Sequence, residues 1–220
     1  MIGATAAIMI SGCAAQPSHQ NSGGETARLT KSLPVRLDKD GVTVVVGHAA
    51  AKNTVRLYEE PRCPDCRQFE QAGGQQLREL ADSGKLRIEY VIASFLDERL
   101  GGEGSARAAN ALRASVNGGA FLQYHDSLYE DQMDERIDGY TTAFLLKVAD
   151  NIKGLHTPGF HEAVKQMKYR SWVGESQALY AKNASHTPTA VINGVKVDAS
   201  DPRLYDSAGF SSLLKSCGVK

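Results

Sequence analysis

The chain of 220 residues has little cysteine: Cys13, Cys63, Cys66 and Cys217 are all it contains. So sparse a set excludes a disulfide-dense scaffold and leaves each cysteine to be explained singly. An excess of charge is missing too. With 25 basic and 25 acidic residues and no basic tract, there is no ground for expecting a nucleic-acid partner. No apolar run is long enough to cross a bilayer as a helix, and no internal repeat is visible. What remains suffices for one well-packed domain with room for an insertion.

The densest chemical signal is Cys63-Pro64-Asp65-Cys66. It stands where the strand pattern Thr54-Val55-Arg56-Leu57-Tyr58-Glu59 runs into a helical pattern starting near Pro64. Two cysteines at this spacing can close a small reversible disulfide ring. The first sits at the positive end of the helix dipole, which favours its thiolate, the nucleophile of disulfide exchange. Pro64 suits the first helical position, where its missing N–H costs nothing. The same spacing is also half of a zinc site, so the surroundings must decide.

At the N-terminus, residues 1–13 form an apolar run ending in small residues and a cysteine. Ile10-Ser11-Gly12-Cys13 resembles the lipobox of a bacterial lipoprotein signal peptide, which implies a lipid on Cys13 and a protein anchored outside the cytoplasm. No Lys or Arg precedes the run. That leaves open a start upstream of Met1, or an apolar segment that is not an export signal. Residues 14–34 turn polar and lose periodicity, as expected of a flexible tether.

The remainder, residues 35–220, reads as one α/β domain. Val42–Val46 is a strand after the Asp40-Gly41 turn, and Leu86–Ala93 is another. Between Cys66 and Gly84 the apolar spacing is helical, with a kink expected at Gly73-Gly74. Strand, helix, strand in this order makes a right-handed βαβ unit. A helical stretch runs from about residue 104 to residue 183, with an alanine-rich Ser105–Val116 and apolar faces in Phe121–Tyr129 and Thr141–Ile152. Thr157-Pro158 opens a further helix, and Trp172, Leu179 and Tyr180 continue the pattern after a break near Ser171. Thr189–Ile192 and Val195–Val197 flank Asn193-Gly194, a two-residue hairpin. Phe210, Leu213, Leu214 and Cys217 share one face of a last helix, where Cys217 is expected as a small buried apolar residue.

The βαβ unit with C-x-x-C at its helix start, the helical block, and Thr187-Pro188 before the hairpin together resemble the thioredoxin fold. The helical insertion and Cys-Pro-x-Cys narrow the resemblance to the DsbA-like thiol:disulfide oxidoreductases. The segment from Tyr58 to Glu70 is similar to the active-site segment of secreted actinobacterial members. The resemblance implies a cis Thr187-Pro188 bond beside the disulfide, with the Thr187 backbone pairing an extended substrate. It implies that Cys63 forms the mixed disulfide and Cys66 resolves it. Exported protein thiols and disulfides would be the substrates and a redox partner would reset the site. No cofactor beyond the Cys63–Cys66 disulfide is implied, and no metal.

Two departures from the family stand out. Some strong oxidants of this family carry histidine where this chain has Asp65, whose charge opposes the Cys63 thiolate and points to a weaker oxidant. The buried carboxylate that many relatives hold six residues before the first cysteine is Leu57 here. Glu59 and Glu60 could substitute for it, although adjacent glutamates at a strand end are expected to be solvated. Arg62 and Arg67 could lower the Cys63 pKa but read as surface residues. His186 could tune the thiolate, yet reads first as a solvent-facing loop residue, and His125 reads as structural. Oxidase, isomerase and reductase directions stay open. The alternatives are a copper-binding metallochaperone and a non-catalytic thioredoxin-like binding lipoprotein. No second Cys or His pair is read at ligand spacing, which counts against zinc.

Overall fold

Six strands form one mixed sheet: β1 (Val35–Leu37), β2 (Val44–Val46), β3 (Asn53–Glu59), β4 (Leu86–Ile92), β5 (Thr189–Ile192) and β6 (Val195–Val197), in the order β1-β2-β4-β3-β5-β6. The computed structural model describes Met1 and residues 33–220. The lipobox with Cys13 and nearly all of the 14–34 tether therefore lie outside the described residues. The β3–β4 pair is parallel, with Leu57 opposite Tyr90, and every other pair is antiparallel. At the β5–β6 turn, Asn193 and Gly194 both take positive φ, 48° and 86°, as a tight two-residue hairpin requires.

Alternation along β3 decides what lies beneath the cysteines. Val55 and Leu57 join the main core, while Tyr58 packs on the other side with Val91, Ala93, Tyr180 and Ala184. Period two puts Glu59 on the same face as Val55 and Leu57.

After β3 the chain forms α1 (Pro64–Phe69), a π-helical turn (Glu70–Gly74) and α2 (Gln75–Asp82). The kink expected at Gly73-Gly74 is this π turn. Gly73 lies under the Phe210 ring, where a Cβ would come within 2.8 Å of Phe210 Cδ1.

The insertion holds α3 (Leu96–Leu100), α4 (Gly104–Asn117), α5 (Phe121–Glu130), α6 (Thr142–Ala149), α7 (Pro158–Lys165) and α8 (Arg170–Asn183). Three details differ from expectation. A short α3 precedes the expected start, α6 stops at Ala149 rather than Ile152, and residues 131–141 are not helical. Side-chain caps fix two starts: Thr141 and Thr157 accept from the N–H of Phe144 and Phe160, each at 3.2 Å. On α8, Ser176 Oγ accepts from Ile92 N at 3.0 Å and Gln177 Oε1 from Ser94 N at 2.7 Å, satisfying the backbone where β4 ends.

The last helix, α9 (Ser207–Ser216), is capped by Asp206. Cys217 is its C-cap and only half-buried, not enclosed as expected, because it lies just past the last helical turn.

Candidate active site

β3 delivers the chain to the site, and the insertion holds the loop that follows. Cys63 is the N-cap of α1 in extended conformation, Pro64 occupies the first turn, and Asp65 is exposed beside it. The loop before Cys63 is clamped by side chains of α5 and the segment after it. Gln132 Nε2 donates to the carbonyls of Pro61 at 2.8 Å and Cys63 at 3.0 Å. The Tyr140 hydroxyl donates to Pro61 O at 3.0 Å, and that of Tyr129 to Glu60 O at 3.2 Å. None of these three was singled out from sequence. They act on backbone across about 70 residues of chain, and no local pattern marks such contacts.

Cys63 and Cys66 are both free thiols, and they differ sharply. Cys63 keeps 7% of its surface exposed and Cys66 none. The Cys63 pKa is drawn down to about 7, first by the hydrogen bond from the Cys66 thiol, against burial, with help from the Thr187 side chain and the Cys66 and Asp65 backbone N–H groups. Burial pushes Cys66 well above the ordinary thiol range, and the neighbouring Cys63 sulfur and Glu59 charge add to the rise. The Thr187–Pro188 peptide is cis, and the Thr187 carbonyl lies 3.4 Å from Cys63 Sγ, accepting its thiol proton.

Beneath the thiols lies a charged floor that sequence reasoning placed in solvent. Glu59 and Glu60 are both fully buried, because the insertion covers the end of β3. Glu59 Oε2 meets His125 Nε2 at 2.9 Å, and His125 Nδ1 faces Asp126 at 3.4 Å. Arg78 Nη1 bridges Glu70 Oε2 at 3.2 Å and Asp126 Oδ1 at 3.0 Å. Burial alone would hold the His125 pKa down. Its hydrogen bonds to Asp126 and Glu59 and the charges of Glu59 and Glu70 outweigh that, so it is raised. Burial raises Glu60 from 4.5 to about 8, although Ser105 and the Arg62 N–H, 2.7 Å from Oε2, favour its ionised form.

Arg62 is also not at the surface. Its guanidinium turns to Asp97, the Gly101 carbonyl and the Glu135 carbonyl, a brace between loop and insertion. Leu57 is fully buried and apolar, and the buried carboxylate of this strand face is Glu59, two residues further along. The alternation of Val55, Leu57 and Glu59 held that signal.

A sequence-family profile described as Thioredoxin matches residues 39–208. The chain belongs to the thioredoxin family. Its fold matches solved structures at low identity. BdbD from Bacillus subtilis in oxidised form has TM-score 0.67 and 20% identity, covering 85% of this chain and 98% of that one. The reduced disulfide bond oxidoreductase DsbG from Mycobacterium tuberculosis has TM-score 0.63 and 24% identity, covering 80% and 85%. MdbA from Actinomyces oris, a thiol-disulfide oxidoreductase, has TM-score 0.63 and 21% identity, covering 80% and 88%. No curated protein matches the sequence.

In this thioredoxin-family chain His186 is exposed, its Nδ1 3.1 Å from Ser185 Oγ, so the solvent-facing reading describes it. Arg67 is half-buried, with Nη1 3.3 Å from the Gln132 carbonyl. Two groups of three side chains among the described residues bring metal-ligand atoms together, and neither includes Cys63 or Cys66.

Proposed function

We propose that the protein is an extracytoplasmic thiol:disulfide oxidoreductase that exchanges disulfides with exported proteins through Cys63 and Cys66. A lipid on Cys13 would hold it at the membrane, and a separate redox partner would reset it without any bound cofactor. The observation that carries this reading is the asymmetry of the two thiols. One is slightly exposed with a depressed pKa at a helix N-cap, and its partner is enclosed with a raised pKa.

In the oxidising direction a substrate thiolate attacks Cys63 Sγ, the Cys63–Cys66 bond breaks, and Cys66 leaves as a thiolate. A second substrate thiolate then attacks the substrate sulfur of the mixed disulfide and releases the Cys63 thiolate. The enclosed Cys66 must take up a proton in the first step and lose one in the reverse reaction. Glu59 is the group suited to exchange it. Its charge acts on Cys66, and its buried Oε1 has no hydrogen-bond partner among the described residues. Through Glu59 Oε2, His125 and the partly exposed Asp126 that proton reaches solvent. Thr187 and Pro188 form the wall against which an extended substrate segment lies.

The test is insulin reduction and oxidation of a reduced peptide with single cysteine variants. Cys63→Ser abolishes both, whereas Cys66→Ser accumulates a mixed disulfide with substrate. Exchange retained in Cys63→Ser overturns the reading.

A further inference from the structure

We propose that Asp150, His156 and His161 form a binding site for a tetrahedral divalent transition-metal ion of the zinc class, at the connection between α6 and α7. The site shares no residue with the cysteine pair and does not depend on disulfide chemistry. Asp150 Oδ1 lies 3.0 Å from His156 Nδ1 and 3.8 Å from His161 Nε2, and all three ligand atoms fall within 4.8 Å of one another. A tetrahedral ion with bonds of about 2.0–2.1 Å separates its ligand atoms by about 3.3–3.4 Å, between the two observed gaps. Small side-chain rotations therefore suffice to seat it.

His161 Nε2 supplies an independent pointer. It is shielded from solvent, lacks a hydrogen-bond partner among the described residues, and faces Asp150. A shielded polar nitrogen without a partner is costly, and an ion would provide one. The three ligands also stand on fixed backbone. Asp150 caps α6 through its N–H to Leu146 O at 3.0 Å, and His161 N donates to Thr157 O at 3.0 Å inside α7. Between them Leu155 is fully buried, and Gly154 packs on Gly118, where a Cβ would lie 2.8 Å from the Gly154 carbonyl oxygen. His156 is thus held from both sides.

Two imidazoles and one carboxylate suit zinc, with the fourth position left to water because His156 and Asp150 are exposed. Calcium and magnesium prefer all-oxygen sets, and copper(I) prefers thiolates. The α6 C-terminus favours a cation and the α7 N-terminus opposes it, so the helix ends roughly offset. Glu162 and Lys165, which line the same cleft, carry opposite charges. His156 and His161 are separated by four residues, a known ligand spacing, contrary to the expectation that the chain holds no such pair.

Zinc titration by calorimetry tests the site on the full chain, with Cys63–Cys66 oxidised and the other thiols alkylated to remove competing sulfur. One equivalent binds, and His156→Ala or His161→Ala each weakens binding by about tenfold or more. Cobalt(II) in the same position gives the intense visible absorption of a four-coordinate ion, and both variants lose it. Both variants keep the melting temperature of the metal-free protein and its insulin reduction. Zinc raises the melting temperature of the parent chain more than that of either variant. No binding by the parent chain, or one-equivalent binding unchanged in the double variant, overturns the proposal.

Discussion

Asp65 stands exposed in the first turn of α1, next to the Cys63 cap, and contributes a negative charge where a thiolate must form. The helix N-terminus and the Cys66 thiol favour that thiolate, so Asp65 works against an otherwise supportive site. Asp65→His removes this opposition and stabilises the reduced form. We expect the Cys63–Cys66 potential, measured in glutathione buffers, to become less negative by tens of millivolts, with about 30 mV for each tenfold change in equilibrium constant. An unchanged or more negative value sinks the argument. His125 is the other residue with a sharp consequence. His125→Ala leaves Glu59 enclosed without its counter-charge, a change that costs about 3–5 kcal/mol in comparable buried pairs. Urea denaturation reads this directly, and a loss below about 1 kcal/mol would mean that Glu59 finds another partner. His125 read as structural because one helical face cannot reveal a charge arriving from a distant strand. Glu59 was half legible. Its register put it inward, but only the covering helices exclude water from it.

At the scale of elements, the turn from Glu70 to Gly74 joins two helices whose apolar spacing was plain in sequence. Its π geometry was not, since the glycine pair marks a weak point without stating how the backbone yields. The reason lies far along the chain: Phe210 of α9 packs edge-to-face on Phe69, with centroids 5.3 Å apart, and occupies the space above Gly73. Gly73→Ala pushes a methyl group into that ring. We expect it to destabilise by about 1–3 kcal/mol, the usual cost of overpacking, read as a lower urea midpoint at constant slope. Phe210→Leu in the same background should recover part of the loss, because the smaller side chain vacates the contact. The strands and the Asn193-Gly194 hairpin were legible because alternation and turn chemistry are local. Residues 131–141 were not, because Gln132 and Tyr140 hold them by side-chain bonds to distant carbonyls.

For the molecule as a whole, the charged floor makes stability depend on pH in a defined direction. Glu60 is raised from 4.5 to about 8 by burial, so between those values the folded chain keeps a proton that the unfolded chain has lost. Stability from this group is therefore full below 4.5 and is lost as pH rises toward about 8, by up to about 1.4 kcal/mol per pH unit. His125 and Glu70 are raised as well and add to the same trend. Cys63 runs the other way. Its pKa falls from 9.0 to about 7, so in the reduced protein its thiolate adds stability as pH rises between those values. The disulfide form has no such contribution. Urea midpoints of the oxidised protein should therefore fall steadily between about pH 5 and about pH 8, and the reduced protein should fall less steeply above about pH 7. Glu60→Gln removes its titration and should flatten the oxidised profile. A profile equally steep in that variant would assign the trend to His125 and Glu70 instead. A stability that rises with pH across this range would contradict protonated Glu60 and Glu70 altogether.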